Sequence, residues 1–357
     1  MPQRMMNLKI YLDFIRYAVA MEEQLPDSCK EIDWNGFYKF CSQQGVLGVA
    51  FQGLERSNLK IPQNLLFEWI GTVEHIKKTN LLTNQCMLKV SQYFEKKNLR
   101  TCILKGQANA LMYPNPALRS PGDIDIWVEG QREDIIKIVL KETPNAHYSI
   151  HHIKMPIFKD VSVEVHYRPI YLSNWFLDKK LQRYISNNEE RQFSHRVNVD
   201  QATIGSLTND FNVVYQLLHM NAHFFTTRNN LKQFVDYYYL LKETDANSEN
   251  YKTEIQKLFK DFGVLKYATG IMWVMKEILG LEDKYLVVEP SEKEGRLILN
   301  ESLYFGTWSK NKLRSVIEQF VANARIVGHY PKDVLIGPLF LIWHQWLKIK
   351  IKLALKK

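Results

Sequence analysis

The sequence predicts an α+β protein, predominantly helical, in which a small mixed β-sheet core is flanked by N- and C-terminal helical regions. Apolar residues recur with the 3.6-residue helical period in residues 1–98 and 171–357. Short apolar or strictly alternating runs, typical of strands, fall within residues 99–170. With 357 residues, of which 46% are hydrophobic, the chain is long enough for two or three domains. We therefore divide it into three regions at these boundaries.

The N-terminal region is predicted to be helical. Apolar spacing near 3.6 residues covers 8–21 and 34–54, and 64–97 is a long helical run that is broken at most once. Charged residues interrupt the first of these segments, which argues against a signal peptide. No uninterrupted apolar stretch approaches the ~20 residues of a membrane-spanning helix.

The central region is predicted to alternate between strands and helices. An apolar strand stops at Lys105-Gly106, and a Tyr-Pro segment ends the short helix that follows. The predicted elements, in order, are a strand over 102–104, a helix over 107–112, a strand through 124–126, a helix over 131–142, and strands over 149–154 and 161–166.

Two aspartates stand on one face of the second predicted strand. Side chains alternate across a strand, so Asp123 and Asp125 point one way while Ile124 and Ile126 point the other. Carboxylates about 7 Å apart on one face repel each other unless a cation lies between them. Oxygen ligands suit Mg²⁺, which also takes water and substrate phosphates. The pair predicts a phosphate-handling metal site; the alternative is an acidic edge strand or a degenerate site.

The turn at Lys105-Gly106 is a candidate phosphate site. A strand, a glycine turn and a helix N-terminus leave backbone N–H groups free to bind an anion. Phosphates at this turn and a metal at Asp123 and Asp125 would belong to one nucleoside triphosphate. The alternative for Lys105 is an ordinary solvated lysine.

A third acid follows in a strictly alternating run. From Val161 to His166 the valines occupy one face, whereas Ser162, Glu164 and His166 occupy the other. If this strand lies beside the one that carries Asp123, Glu164 completes a three-carboxylate cluster able to hold two divalent ions. A histidine in the position of His166 more often hydrogen-bonds a neighbouring carboxylate than takes part in chemistry.

These motifs together resemble a known group of enzymes. LKG at 104–106, Arg119, GDIDIWV at 122–128 and VEVHYRP at 163–169 resemble the nucleotidyltransferase superfamily that shares its fold with DNA polymerase β. Within it, they look like the bacterial uncharacterised nucleotidyltransferase family. The resemblance assigns Lys105, Gly106 and Arg119 to phosphate binding, and Asp123, Asp125 and Glu164 to metal binding and catalysis. One departure is Gly106-Gln107, where many of these enzymes have Gly-Ser or Gly-Gly.

The resemblance implies a Mg²⁺- or Mn²⁺-dependent enzyme. Such an enzyme moves a nucleoside monophosphate from an NTP such as ATP to a hydroxyl or phosphate acceptor and releases pyrophosphate. A sugar phosphate, a polysaccharide precursor and RNA stay open as acceptors. The alternatives are a toxin-like nucleotidyltransferase that acts on RNA and a catalytically decayed binding protein of the same fold.

The C-terminal region is predicted to be helical, with amphipathic segments over 209–220, 231–243, 252–262, 265–279 and 313–327. His219 and His223 share a helical face, but no glutamate lies between them, so we expect structural or cleft contacts rather than a zinc pair. Asp236 is expected to form a salt bridge, to cap its helix or to approach the substrate.

Charge and cysteine content bear on partners and location. The net charge is +9, and residues 346–357 carry five lysines and no acid. We expect a packed terminal helix with a solvated basic end, and consider contact with an anionic membrane surface the less favoured alternative. The four cysteines show no paired spacing, which predicts reduced thiols in the cytoplasm.

Overall fold

The computed structural model describes residues 2–200, 202–244, 248–304 and 312–355. Helices dominate it and one small mixed sheet lies among them, which confirms the predicted fold class. In the described residues the helices α1 to α14 span Pro2–Ala20, Trp34–Gln44, Leu47–Arg56, Gln63–Glu95, Gln107–Ala110, Arg132–Glu142, Trp175–Ser194, Asn209–Thr226, Leu231–Lys242, Glu249–Asp261, Leu265–Trp273, Glu292–Tyr304, Lys312–Ile326 and Pro331–Ala354. The strands β1 to β6 span Thr101–Ile103, Ile124–Val128, His152–Lys154, Val163–His166, Arg196–Val199 and Ala202–Gly205.

The N-terminal helices follow the predicted pattern, with one division. The helical run over 34–54 is split into α2 and α3 at Gly45, whose φ is 68°. Glycine adopts this left-handed conformation without steric cost. The amide of Gly45 donates to the carbonyls of Cys41 and Ser42 and so closes α2. At the other end of α2, the side chain of Asp33 accepts a hydrogen bond from the amide of Gly36, as an N-cap residue does.

The sheet has the strand order β1-β2-β4-β3. Strands β2 and β4 are parallel and are connected through α6, whereas β1 and β3 pair antiparallel at the two edges. The isoleucines of β2 and the valines of β4 are buried on one face against α6 and the C-terminal half of α4. This face confirms the alternation read from the sequence.

The opposite face of the sheet meets the larger helical core. Trp127 of β2 and Cys102 of β1 are buried in that core together with residues of α8 and α9. The acidic residues of β2 and β4 share this face. They therefore lie where the sheet meets the helices of the C-terminal region.

A hairpin that we did not predict continues the sheet. Strands β5 and β6 pair with each other, and Ser206, just after β6, forms a bridge with Ile103 of β1. A Cβ on Gly205 would lie 1.9 Å from the carbonyl oxygen of Thr101, so only glycine permits this approach. Residues beyond 170 thus contribute to the sheet edge, and the division at 98 and 170 stays a prediction.

The last helix packs by one side on the sheet core. Ile351 of α14 is fully buried in the cluster formed by the apolar face of the sheet, whereas Trp346, Ile349 and Leu353 are exposed. Lys356 and Lys357 of the basic end lie outside the described residues. Among the helices that the structure describes, none is long and apolar enough to cross a membrane.

Candidate active site

The pairing of β2 with β4 brings two of the predicted acids side by side. Asp125 is the Cα partner of Glu164 across the parallel strands. The Asp125 side chain is 3% exposed and that of Glu164 is 18% exposed. Candidate ligand atoms of Asp125, Glu164 and His166 all lie within 4.8 Å of one another. The strand arrangement on which the third acid depended is therefore present.

Asp125 is a buried carboxylate between two cationic or donor groups. Its Oδ1 accepts a hydrogen bond of 2.9 Å from Nε2 of His166, and its Oδ2 lies 3.2 Å from Nζ of Lys105. Burial alone would raise the pKa of Asp125, but the Lys105 ammonium and the His166 bond outweigh it and hold this pKa well below its usual range. Asp125 is therefore ionised at neutral pH.

Glu164 is held more loosely. Its carboxylate oxygens lie 3.6 Å from Nζ of Lys154 and 3.6 Å from Nδ1 of His152. Burial, followed by the negative charge of Asp125, raises the pKa of Glu164. The two neighbouring carboxylates thus differ, since one is strongly ionised and the other binds a proton more readily than a free glutamate.

Asp123 stands just before the strand that carries Asp125. It precedes β2 by one residue, and its side chain is exposed. Burial lowers the pKa of Lys105. The negative charge of Asp125 and, to a smaller extent, that of Asp123 outweigh burial and raise this pKa. Its role as a metal ligand stays a prediction.

The glycine turn joins β1 to α5 and lies beside the acidic strand. The amide of Leu104 donates to the carbonyl of Asp125 at 3.0 Å, and Gly106 has a φ of 68°. Helix α5 ends at Ala110 and is shorter than the helix predicted over 107–112. The Gln107 amide, where the motif departs from the family pattern, donates to Asn84 on α4. The Gln107 side chain, which stands where the family pattern has serine or glycine, therefore makes a structural contact.

Arg119 lies in a buried ion pair with a residue of α9. Its Nε and Nη2 donate to the two carboxylate oxygens of Asp236 at 2.7 and 2.8 Å, and the Tyr113 hydroxyl donates to Asp236 at 2.6 Å. The salt bridge expected for Asp236 is therefore present. A direct contact between Arg119 and phosphate stays a prediction.

Helix α8 supplies neutral imidazoles to the site. Nε2 of His219 lies 3.0 Å from Nζ of Lys105 and 3.3 Å from Nε2 of His223. Burial, with the positive charge of Lys105, lowers the pKa of His223 to about 4 and that of His219 well below its usual value. The sequence analysis expected His219 and His223 to make structural or polar contacts rather than to form a zinc pair. The structure shows polar contacts, with Lys105 and between the two histidines.

Lys232 is a cation that our sequence analysis missed. Its Nζ lies 3.4 Å from the carbonyl oxygen of Pro121, just before the acidic strand. Burial and the charge of Arg119 lower the pKa of Lys232 to about 8. The sequence spacing could have indicated this residue, because Lys232 precedes Asp236 by four positions and therefore lies on the same face of the helix.

Comparisons with known proteins identify the family of this chain. The chain belongs to the uncharacterised nucleotidyltransferase family, which its sequence matches over residues 30–280. Among solved structures, it is similar to an antigenic nucleotidyltransferase-like protein from Paracoccidioides brasiliensis, with 13% identity over 54% of this chain and 91% of that one. The TM-score of 0.30 is too low to establish a common fold, so the assignment rests on the family match. A search of curated proteins returned no significant match.

Proposed function

We propose that the protein transfers a nucleotidyl group from an NTP to a hydroxyl or phosphate acceptor, with Mg²⁺ or Mn²⁺ as cofactor, and releases pyrophosphate. The observation that carries this proposal is the parallel pairing that sets Asp125 beside Glu164, with Nζ of Lys105 3.2 Å from Asp125. The family to which the chain belongs supports the reaction class.

The donor set fits a divalent cation. Oδ2 of Asp125 is buried and is held by its ion pair with the Lys105 ammonium at 3.2 Å rather than by a hydrogen bond of regular geometry, so a cation would find an oxygen ligand there once Lys105 turns away. The raised pKa of Glu164 reports unfavourable negative charge that a cation would relieve. Asp125, Glu164 and Asp123 would hold the ion. Mg²⁺ bound there would supply positive charge beside the triphosphate and lower the pKa of the acceptor hydroxyl.

Basic residues around the acids would bind the phosphates. Lys105, whose side chain is 22% exposed, can turn from Asp125 toward a triphosphate, and the backbone of Gly106 lies at the same turn. Lys232 adds a second ammonium group near Pro121. Both ammonium groups would stabilise the negative charge that develops on the leaving pyrophosphate.

As a ligand of the cation, Glu164 would assist the attacking group. The acceptor oxygen forms a bond to the α-phosphorus as the bond to the bridging oxygen of the β-phosphate breaks. When the acceptor is a hydroxyl, the cation held by Asp125 and Glu164 would lower the pKa of that hydroxyl, and its proton would pass to water. Asp125, which is ionised and held by His166, keeps its negative charge throughout.

RNA is a second candidate among acceptors. The net charge of +9 favours a polyanion over a neutral sugar, because the protein field attracts acidic partners. A sugar phosphate or a polysaccharide precursor would also supply an anionic acceptor.

The four cysteines are free and buried, which supports a reducing location, and we propose the cytoplasm.

Labelled nucleotides test the proposal. Each of the four NTPs, labelled at the α-phosphate, is incubated with the protein and Mg²⁺, in parallel with total RNA and with a mixture of sugar phosphates. We expect label in one acceptor pool, and a loss of about 10³-fold in Asp125→Asn, which removes a charge that binds the metal. The exposed acid Asp160 provides the matched control, Asp160→Asn. Full transfer by Asp125→Asn, or no transfer to any acceptor, would contradict the proposal.

A further inference from the structure

Three imidazoles form a cluster beside the carboxylates, toward the β3 edge of the sheet. His152 is the first residue of β3 and the Cα partner of His166 on β4, and His151 directly precedes it. The ring centroids of His151 and His152 lie 4.4 Å apart. The centroid of His166 lies 5.4 Å from that of His151 and 5.3 Å from that of His152. Candidate ligand nitrogens of all three lie within 4.8 Å of one another.

The ring nitrogens of the cluster lie close to one another and to polar neighbours. Nδ1 of His152 lies 2.9 Å from Nε2 of His151, whose Nδ1 is 3.1 Å from the Ser149 hydroxyl. Nε2 and Nδ1 of His166 face Asp125 and the carbonyl of Arg168. A metal ligand typically has its second ring nitrogen held by a carboxylate, a carbonyl or water. His166 has such a partner on either nitrogen.

We propose that His151, His152 and His166 bind a transition-metal cation of the zinc type, at a site that adjoins the carboxylate centre and shares His166 with it. Imidazole suits Zn²⁺ and its neighbours in the transition series, whereas Mg²⁺ prefers carboxylates, carbonyls and water. Three histidines with one open position are a set that zinc sites use. Ligand nitrogens 2.0–2.1 Å from a tetrahedral ion lie about 3.4 Å apart, so small side-chain rotations suffice to bring these nitrogens into place.

The two sites are coupled through His166. Whichever nitrogen His166 offers to the cation, it gives up its contact with either Asp125 or the carbonyl of Arg168. Glu164 also lies 3.6 Å from Nδ1 of His152. A zinc ion in the cluster therefore alters the surroundings of both carboxylates. The zinc site itself does not depend on whether the protein transfers nucleotides.

Calorimetric titration of the metal-stripped, full-length protein with Zn²⁺ tests the site, in the absence of nucleotide and Mg²⁺. We expect one binding event, weakened at least about tenfold by His151→Ala or His152→Ala. His147→Ala is the matched control, because His147 is exposed and lies outside the cluster. It should bind Zn²⁺ as the wild type does. Thermal melting of each variant confirms that it is folded.

A second arm separates the cluster from the carboxylate centre. Asp125→Asn and Asp123→Asn should retain the Zn²⁺ event, and Co²⁺ should give the wild type a visible d–d spectrum that His151→Ala lacks. Loss of Zn²⁺ binding in the aspartate variants with retention in the histidine variants would place the ion at the carboxylates. That result, or no Zn²⁺ binding by the wild type, overturns the proposal without bearing on nucleotidyl transfer.

Discussion

Two aspartates of this protein are almost equally buried, and yet their surroundings differ. Asp236 on α9 accepts hydrogen bonds from Tyr113 and, on both oxygens, from the guanidinium of Arg119. Asp125 on β2 accepts a hydrogen bond from His166 on one oxygen, and its other oxygen is held by the ion pair with the Lys105 ammonium at 3.2 Å. A buried carboxylate with three hydrogen bonds from buried groups serves to fix the structure, whereas the partner of Asp125 is a partly exposed lysine that a ligand can reach.

The cations that pair with these aspartates differ in the same way. The Arg119 side chain is 4% exposed and its planar guanidinium matches the carboxylate of Asp236. The Lys105 side chain is 22% exposed and has three carboxylates nearby. The first pair connects the segment before β2 to α9, and the second leaves a cation able to move. We therefore propose that Arg119 acts by positioning the segment before β2, and that Lys105 contacts the substrate.

The largest expected effect is on stability, at the satisfied pair. Arg119→Leu leaves the buried carboxylate of Asp236 without its cation, so the free energy of unfolding should fall by about 3–5 kcal/mol. Urea unfolding measures it, with the exposed Arg183→Leu as control. The double variant Arg119→Leu/Asp236→Leu should recover part of the loss, because no unpaired charge stays buried. A loss no larger than that of the control would show that the pair is dispensable.

Asp125→Asn should cost less stability than Arg119→Leu. The amide still accepts the hydrogen bond from His166, and Lys105 keeps Asp123 and Glu164 as neighbouring charges. We expect a loss of about 1–2 kcal/mol in the same urea experiment. A loss equal to that of Arg119→Leu would mean that Asp125 is as structural as Asp236, and would remove the distinction between the two pairs.

The smallest effect is expected at Glu164 and depends on pH. Because the raised pKa means that the folded state holds the proton more tightly than the unfolded chain, the free energy of unfolding falls as pH rises from about 4.3 through the folded-state value. Without metal, Glu164→Gln should therefore melt no lower than wild type at about pH 7. Its advantage should vanish below about pH 4, where the wild-type carboxyl is protonated. A variant that melts well below wild type at neutral pH would contradict this.

Local patterns were sufficient to predict the two strands that carry Asp125 and Glu164. Alternation in the runs through Asp125 and Glu164 indicated strands with one polar face, and the structure pairs these two residues across parallel strands. The long helices of the flanking regions were equally visible, because apolar periodicity reports burial directly. The breaks between helices were harder to predict. Gly45, for example, divides a continuous apolar pattern by its backbone conformation.

What the sequence could not supply are contacts between distant segments. Arg119 and Asp236 are separated by 117 positions, and Lys105 and His219 by 114. No local pattern shows which partner a charged side chain will meet. The hairpin of β5 and β6 was missed for a different reason: its side chains are only partly buried, so its apolar pattern is weak.

The most direct test of the account is calorimetric titration of the protein with each NTP, with and without Mg²⁺. If Asp125 binds the metal–nucleotide complex and Glu164 assists the reaction, the wild type should bind one NTP only when Mg²⁺ is present. Glu164→Gln should retain measurable binding, whereas Asp125→Asn should lose it. Binding by Asp125→Asn equal to that of the wild type, or loss of binding in Glu164→Gln as complete as in Asp125→Asn, would contradict these roles.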